Sequence, residues 1–203
     1  NLVIDVSIVT KNKLRDFIKK EKITSIKENL VDKISKKRNK KKSSFYSIDK
    51  TVTGESHHKK ISKVSSFLKR NKYDYLFVTA PENVAWLLNI RGYDSPTSPI
   101  PNSNLLLTKE KHVFLIVEKN KTTKLLREKK LKQDQIVDPR YILNFFDKLK
   151  KGTILIDEKT CSLYLEKVIE KKFKIIKKED PIYTLKSIKN NIEIKNTISA
   201  HVI

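Results

Sequence analysis

The sequence predicts an α/β domain: a mixed β-sheet with helices on both faces. Short apolar segments, typical of buried strands, alternate along the chain with segments in which apolar residues recur every three or four positions, as on one side of a helix. Two apolar segments follow each other across Lys109-Glu110-Lys111, which predicts one antiparallel hairpin within this alternation. Hydrophobic residues make up 38% of the chain, which is enough to form a core.

The first 35 residues predict a short strand over 3–9, a helix over 11–20 and another short strand within 23–31. The helix is indicated by Leu14, Phe17 and Ile18, which fall on one side of it. These elements are too few to form a domain. We therefore expect residues 1–35 to be the C-terminal remnant of a first domain.

A strongly basic segment follows. Residues 33–42 carry seven positive charges in ten positions. Charges at this density repel one another and keep a segment solvated. We interpret the run as part of a basic linker over 36–53, and a polyanion-binding arm is the alternative.

A compact domain is predicted over 54–182. The Ser56 hydroxyl suits the N-cap of a helix that runs to about Asn71. An apolar strand is predicted over 75–79, followed by a helix over 82–89 that Gly92 ends. The other predicted elements are a hairpin over 104–108 and 112–117, helices over 121–130, 140–150 and 160–171, and strands over 135–138, 153–157 and 173–176.

One further helix is predicted over 185–203. Four apolar residues, Leu185, Ile188, Ile192 and Ile198, recur at a spacing that places them roughly on one side of it.

The net charge of +22 raises the possibility of a nucleic-acid partner, but the kind of charge does not favour one. Only six of the 45 basic residues are Arg, whereas proteins that read nucleic-acid sequence favour Arg for bidentate contacts. We therefore expect no specific nucleic-acid partner. The chain has no apolar run long enough to cross a membrane and no signal peptide, and its one cysteine, Cys161, suits a reducing compartment. These features predict a cytoplasmic location without a membrane partner.

The sequence contains no recognisable catalytic or metal-binding motif. With three Gly in the chain, neither GxGxxG nor GxxxxGK occurs, and no GxSxG frames a serine. His57 and His58 are neighbours on a predicted helix, so their side chains diverge, and HExxH is absent. Cys161 is interpreted as a small packing residue. Taken alone, the residues predict an α/β domain without an active site.

The segment 82–94, ENVAWLLNIRGYD, contains the residues of greatest interest. Trp86 lies on the apolar side of its helix and is predicted to belong to the core. Arg91 and Asp94 flank Gly92, and we predict an ion pair between them that locks the turn.

This segment resembles the ExAWLxNLRGxD signature of the Xaa-Pro aminopeptidases (aminopeptidase P), a family with a creatinase/prolidase-type N-terminal region. Further segments resemble the family in the same order along the chain: NLVD at 29–32, TGES at 53–56 with Lys60, the loop and strand from Asp94 to Thr108, and KSIKNNIE at 186–193 with Ala200-His201.

The resemblance implies a three-domain enzyme in which two non-catalytic α/β domains, the second of ribonuclease H-like fold, precede a pita-bread catalytic domain. Residues 183–203 would then be the first helix of a truncated catalytic domain. The family holds two divalent ions, usually manganese, with two Asp, one His and two Glu. All of these lie downstream of Ala200-His201, so this part of the protein is expected to carry neither cofactor nor catalytic residue.

For the parent enzyme, the resemblance implies removal of an N-terminal residue that precedes proline, by a metal-activated hydroxide, and a homodimer. The present part would shape substrate access and the dimer. Trp86, Asn89, Arg91 and Asp94 are the residues that we expect at the interdomain surface or substrate entrance. A stand-alone, catalytically inactive binding module is the alternative. Residues 34–39 lack the Trp and Pro that often follow NLVD, which implies a looser linker and leaves the contact between the first two domains open.

Overall fold

The computed structural model describes residues 2–17, 23–26, 29–34 and 44–202. Residues 35–42 of the basic run and 18–20 of the first predicted helix lie outside the described residues. The strands are β1 (Leu2–Ile4), β2 (Ile23–Ser25), β3 (Tyr46–Ser47), β4 (Tyr75–Val78), β5 (Ile90–Arg91), β6 (Asn104–Thr108), β7 (Val113–Ile116), β8 (Ile136–Val137), β9 (Thr153–Ile156) and β10 (Lys174–Lys177). The helices are α1 (Lys11–Phe17), α2 (Leu30–Ile34), α3 (Lys50–Thr53), α4 (His57–Arg70), α5 (Pro81–Leu88), α6 (Thr123–Arg127), α7 (Ile142–Lys148), α8 (Leu163–Glu170), α9 (Pro181–Ser187) and α10 (Asn191–His201).

The main sheet has six strands in the order β10-β9-β4-β6-β7-β8. Strand β6 is antiparallel to both of its neighbours, and the other adjacent pairs are parallel. The predicted hairpin is therefore confirmed as β6 and β7, and the sheet is mixed. Two smaller two-stranded sheets join β1 to β2 in parallel and β3 to β5 in antiparallel orientation.

Alternating side chains of the strands divide the core between the two faces of the main sheet. In β4, Leu76 and Val78 lie in one core cluster, whereas Tyr75 and Phe77 lie in the other. The first cluster takes buried residues from α4, α5, α6 and α9, and the second takes them from α7 and α8. The prediction of a mixed sheet with helices on both faces is thus confirmed.

The regular part of the domain follows the predicted elements closely. Helix α4 begins where expected, because the Ser56 hydroxyl accepts a hydrogen bond from the Lys59 N–H. The predicted helices over 121–130 and 140–150 are shorter in the structure, as α6 and α7, and each is preceded by a single 3-10 turn.

The predicted single helix over 185–203 is wrong. Helix α9 starts earlier, at Pro181, and ends at Ser187, and α10 starts at Asn191. The chain breaks because the Asn190 side chain accepts hydrogen bonds from the N–H groups of Ile192 and Glu193, which makes it the N-cap of a new helix. The predicted apolar side is accordingly not formed, and Ile188 and Ile198 are exposed.

The N-terminal segment contacts the start of α8. The first two amides of that helix, Leu163 N–H and Tyr164 N–H, donate to the carbonyls of Val9 and Val6 at 2.8 and 2.9 Å. Thr10 forms an isolated antiparallel bridge with Ser162 beside these bonds. The first turn of a helix leaves its N–H groups without partners inside the helix, so this segment caps α8 from outside.

We predict that removing residues 1–11 exposes this end of α8. The amides of Leu163 and Tyr164 should exchange with deuterium about fivefold faster, because a backbone hydrogen bond is worth on the order of 1 kcal/mol. Hydrogen exchange followed by mass spectrometry measures the change, and the amide of Ile154, in the buried strand β9, serves as the control. Unchanged protection of the start of α8 would contradict the capping role.

Candidate functional site

A buried lysine forms the centre of the candidate site. The side chain of Lys60 is 1% exposed, and its ammonium donates hydrogen bonds to Asn89 Oδ1 at 2.7 Å and to the Trp86 carbonyl at 3.1 Å. The same ammonium lies 4.1 Å from the centroid of the Trp86 ring. Burial lowers the pKa of Lys60 to about 8, against the opposing influence of Glu193 and Glu55.

Asn89 connects Lys60 to the segment before α4. Its backbone adopts the left-handed conformation (φ 51°, ψ 50°) and caps α5. Its amide nitrogen donates to Thr53 Oγ1 at 3.1 Å and to the Glu55 carbonyl at 2.7 Å. The side chain of Asn89 therefore joins the end of α5 to the turn that leads into α4.

Asn89, and not Gly92, ends α5, so the prediction that Gly92 ends this helix is wrong. Gly92 lies beyond the short strand β5, and its φ is not positive. The absence of a side chain is needed there for another reason. A Cβ atom at Gly92 would lie 2.9 Å from both the Phe45 ring and the Pro101 Cα.

Asn190 brings the start of α10 to the same place. Its amide nitrogen donates to the Thr53 carbonyl at 3.0 Å, and the same residue caps α10. The adjacent Gly54 has a φ of 70°, and a Cβ atom there would lie 2.2 Å from Asn190 Oδ1. The turn before α4, the end of α5 and the start of α10 are thus held together by Lys60, Asn89 and Asn190. We call these three residues the Lys60 network.

Trp86 contacts this network from one side. The ring is half-buried and packs against the core cluster that contains α4 and α5, in line with its predicted place at the core. Its Nε1 atom is buried, and no residue that the structure describes accepts a hydrogen bond from it.

Arg91 and Asp94 do not form the predicted ion pair with each other. Arg91 is half-buried, and its Nη1 donates to the carbonyls of Ile90 at 2.9 Å and Ala85 at 3.4 Å. Asp94 instead pairs with Lys121 at 2.8 Å and accepts from the Asn102 N–H at 2.8 Å. The two residues lie close in sequence, but Asp94 ties the following loop to the segment before α6. Burial lowers the pKa of Arg91, against a smaller opposing influence of Tyr46.

The loop over 92–103 begins beside this group. Tyr93 is 68% exposed and stacks on Tyr46, with ring centroids 5.2 Å apart. Tyr46 and Arg91 are paired residues in the small β3–β5 sheet. The structure therefore places Arg91 and a pair of stacked tyrosines, of which Tyr93 is exposed, at the start of this loop.

The described residues do not assemble a metal site. Within 2–17, 23–26, 29–34 and 44–202, no three His, Cys, Asp or Glu side chains are grouped so that they could hold an ion. His57 is half-buried with its Nδ1 3.1 Å from Lys130 Nζ, and burial lowers its pKa to about 4, with Lys130 as the next cause. Cys161 is buried in the core, and desolvation raises its pKa to about 12, as suits the packing residue that was predicted.

In the same described ranges, no helix combines the length and the apolar composition that crossing a membrane requires.

The sequence analysis did not predict that Lys60 and Asn190 connect the elements of this site. Lys60 was noted only as part of a motif, although it recurs at a four-residue interval with Val64 and Leu68 on the buried side of α4. A lysine on an apolar helix face is the signal that could have identified it. Asn190 offers no comparable signal, because its partner Thr53 is far away in the sequence.

Comparisons with known proteins agree on one family. A family model described as the Creatinase/Prolidase N-terminal domain matches residues 36–193. Xaa-Pro aminopeptidase 1 of Dictyostelium discoideum is 28% identical over 203 residues, which cover 92% of this chain and 31% of that protein. A probable Xaa-Pro aminopeptidase P of Laccaria bicolor is 25% identical, over 91% of this chain and 29% of that protein. The chain thus spans less than a third of the length of these two relatives.

A solved structure shares the fold. The X-prolyl aminopeptidase of Caenorhabditis elegans, described as a cytosolic enzyme with a di-nuclear active site, superposes with a TM-score of 0.78 at 20% identity. The superposition covers 98% of this chain and 34% of that one.

We predict that the stability of the protein depends on the protonation of Lys60. Its pKa in the folded state, about 8, is lower than the ordinary value of 10.5, so the unfolded chain binds more protons between these pH values. The free energy of unfolding should therefore rise with pH from about 8 to 10.5, by up to about 3 kcal/mol from this group. Other groups titrate in the same pH range. The contribution of Lys60 is therefore the difference between the wild type and Lys60→Met in how the free energy of unfolding changes with pH.

Urea denaturation near pH 7 and near pH 10 gives this difference. Lys63→Met, which alters an exposed lysine of the same helix, is the matched control and should keep the wild-type pH dependence. Parallel pH profiles for wild type and Lys60→Met would show that Lys60 does not titrate abnormally.

Proposed function

Since this chain belongs to the creatinase/prolidase N-terminal domain family, we propose that it is the non-catalytic N-terminal region of a Xaa-Pro aminopeptidase. The observation that carries the proposal is the alignment with Xaa-Pro aminopeptidases along nearly the whole chain, together with the shared fold. The complete enzyme would remove an N-terminal residue that precedes proline. That activity belongs to the whole protein, of which this chain corresponds to about a third.

The proposed domain division follows the predicted one. Residues 1–35 would be the end of a first domain, 36–53 a linker, 54–182 the second domain and 183–203 the beginning of the catalytic domain. Two features of the chain support a boundary close to the last of these, between α9 and α10. Ile182 is buried in the core of the second domain, whereas α10 buries no side chain and contacts mainly α3. A helix with several exposed isoleucines is suited to packing against further protein.

The Lys60 network would fix the position of the catalytic part relative to this domain. Asn190 caps α10, which would belong to that part, and is hydrogen-bonded to the turn that Asn89 also holds. Trp86, Asn89, Arg91 and Asp94 would then lie at the interdomain surface or the substrate entrance. Arg91 precedes the loop over 92–103 and Asp94 belongs to it. The exposed Tyr93 shows that this loop reaches the surface, which supports the placement.

The described residues do not fit the divalent ions of the family, because they group no set of ligands. We propose that the parent enzyme binds two such ions, of which manganese is the expected kind, through residues of its catalytic domain. This chain would contribute to substrate access and to a homodimer rather than to the chemical step. A cytoplasmic location is proposed for the parent, by analogy with the cytosolic relative.

We predict that purified 1–203 does not hydrolyse a peptide with proline in the second position, with or without added manganese, because it supplies no catalytic group. Release of the N-terminal amino acid is the readout, and a full-length Xaa-Pro aminopeptidase under the same conditions is the positive control. Manganese-dependent turnover by 1–203, abolished by a chelator, would overturn the proposal that this part is non-catalytic.

The gene sequence beyond the codon for Ile203 separates the proposal from a stand-alone binding module. We expect an open reading frame in which two Asp, one His and two Glu follow in the order of the family. A stop codon soon after Ile203, or a downstream domain without these residues, would favour the binding module.

A further inference from the structure

A groove of about 730 Å³ runs between α4 and α9. Its floor contains three apolar residues, Phe67, Pro181 and Leu185. Phe67 and Leu185 are only partly buried and pack their inner sides against the core, which leaves their outer sides to the groove. Clefts that hold small ligands or short peptide segments have volumes in this range.

The groove follows the outer face of α4 over much of its length. Lys59, Ser62, Lys63, Ser66 and Arg70 line it, and they recur every three or four residues. The buried residues of α4, among them Val64 and Leu68, face the other way, into the core. The groove is therefore an open channel along the helix and does not result from a gap in the core.

Positive charges without acidic partners stand on the two sides of the groove. Arg70 is on α4 and Lys178 on the segment before α9, and neither forms an ion pair with any residue that the structure describes. Lys59 and Lys63 share the carboxylate of Glu55, at 3.8 and 2.7 Å.

The acidic residues of the groove do not offset these charges. Glu179 pairs with Lys159 at 3.5 Å. Asp180 is 3% exposed, and its carboxylate accepts from Asn83 Nδ2 and from the Ile182 N–H. The groove therefore combines an apolar floor with sides that attract negative charge.

We propose that this groove binds an acidic peptide segment that carries a bulky apolar side chain. The apolar side chain packs on Phe67 and Leu185, and carboxylates on either side of it pair with Arg70 and Lys178. This binding site is independent of the proposed peptidase function. The groove would give this non-catalytic domain a surface that recognises acidic polypeptides.

Charge selects this occupant over a second copy of the chain. Each copy carries a net charge of +22, so a second copy would bring positive charge to a groove that already attracts negative charge. The homodimer proposed above would therefore form through another surface. The floor also favours peptide over nucleic acid. Single-stranded nucleic acids bind with their bases stacked on exposed aromatic rings, whereas the groove offers aliphatic contacts and one partly buried ring, that of Phe67.

The test uses the full chain 1–203 and three fluorescein-labelled hexapeptides. The probe is Glu-Glu-Leu-Phe-Glu-Glu, and the comparison peptides are Glu-Glu-Ser-Ser-Glu-Glu and Ser-Ser-Leu-Phe-Ser-Ser. Fluorescence anisotropy is measured at about 0.15 M salt, where long-range attraction between exposed charges is largely screened. We expect the probe to bind at least about tenfold more tightly than either comparison peptide, because it alone makes both kinds of contact.

The double variant Arg70→Glu/Lys178→Glu should weaken binding of the probe about tenfold or more, since it places like charges opposite the carboxylates. The matched control is Arg127→Glu/Lys171→Glu, which makes the same change in net charge at exposed residues outside the groove. It should leave binding of the probe nearly unchanged. Both double variants alter exposed residues, and circular dichroism checks that they fold.

Equal weakening in the two double variants would overturn the proposal, because the probe would then respond to overall charge. Equal affinity for Glu-Glu-Leu-Phe-Glu-Glu and Glu-Glu-Ser-Ser-Glu-Glu would overturn it as well, since the apolar floor would play no part. Single-stranded oligothymidine that binds more tightly than the probe, and is lost in Arg70→Glu/Lys178→Glu, would assign the groove to nucleic acid instead.

Discussion

The Lys60 ammonium is buried with no carboxylate of the described residues at ion-pair distance, and this burial constrains the structure around it. An ammonium removed from water costs several kcal/mol unless other groups replace its hydration. Here the replacement consists of Asn89 Oδ1, the Trp86 carbonyl and the face of the Trp86 ring. Hydrogen bonds to a charged donor contribute about 1.5–3 kcal/mol each, and a desolvated cation over an indole contributes about 2 kcal/mol. The end of α5 must therefore hold its position, because any displacement would leave the charge without these contacts.

The same requirement explains why Asn89 adopts a left-handed conformation. Such a conformation costs most residues other than glycine about 1–2 kcal/mol, and asparagine tolerates it better than most. Asn89 offsets this cost with side-chain hydrogen bonds to Lys60, Thr53 and Glu55, which a glycine could not make. Because Thr53 also binds Asn190, the strained residue joins the second domain to the helix that follows it. The backbone strain and the buried charge are thus parts of one arrangement.

How far the sequence predicts this structure depends on the range of the interaction concerned. The main sheet, its hairpin and α4 follow from apolar patterning and local capping, and they were predicted correctly. Gly92 was wrongly assigned the end of α5, because a capping asparagine depends on partners more than thirty residues away. Arg91 and Asp94 were wrongly paired for the same reason, since Lys121 reaches Asp94 from a distant segment. The break between α9 and α10 was not predicted, although its cause is local. The Asn190 side chain competes with continuation of the helix, and the spacing of apolar residues carries no information about that competition.

The contact at α8 bears on how the first 34 residues are attached. The sequence left this contact open because residues 34–39 lack the Trp and Pro that often follow NLVD in the family. In the structure, hydrogen bonds attach the N-terminal segment to α8: the carbonyls of Val6 and Val9 accept from helix amides that have no partner within the helix. Lys11 adds an ion pair at 3.5 Å to Glu166, which is nearly buried and also pairs with Lys177. Since each of these groups would otherwise lose a partner, these contacts favour the packing of the N-terminal segment on α8.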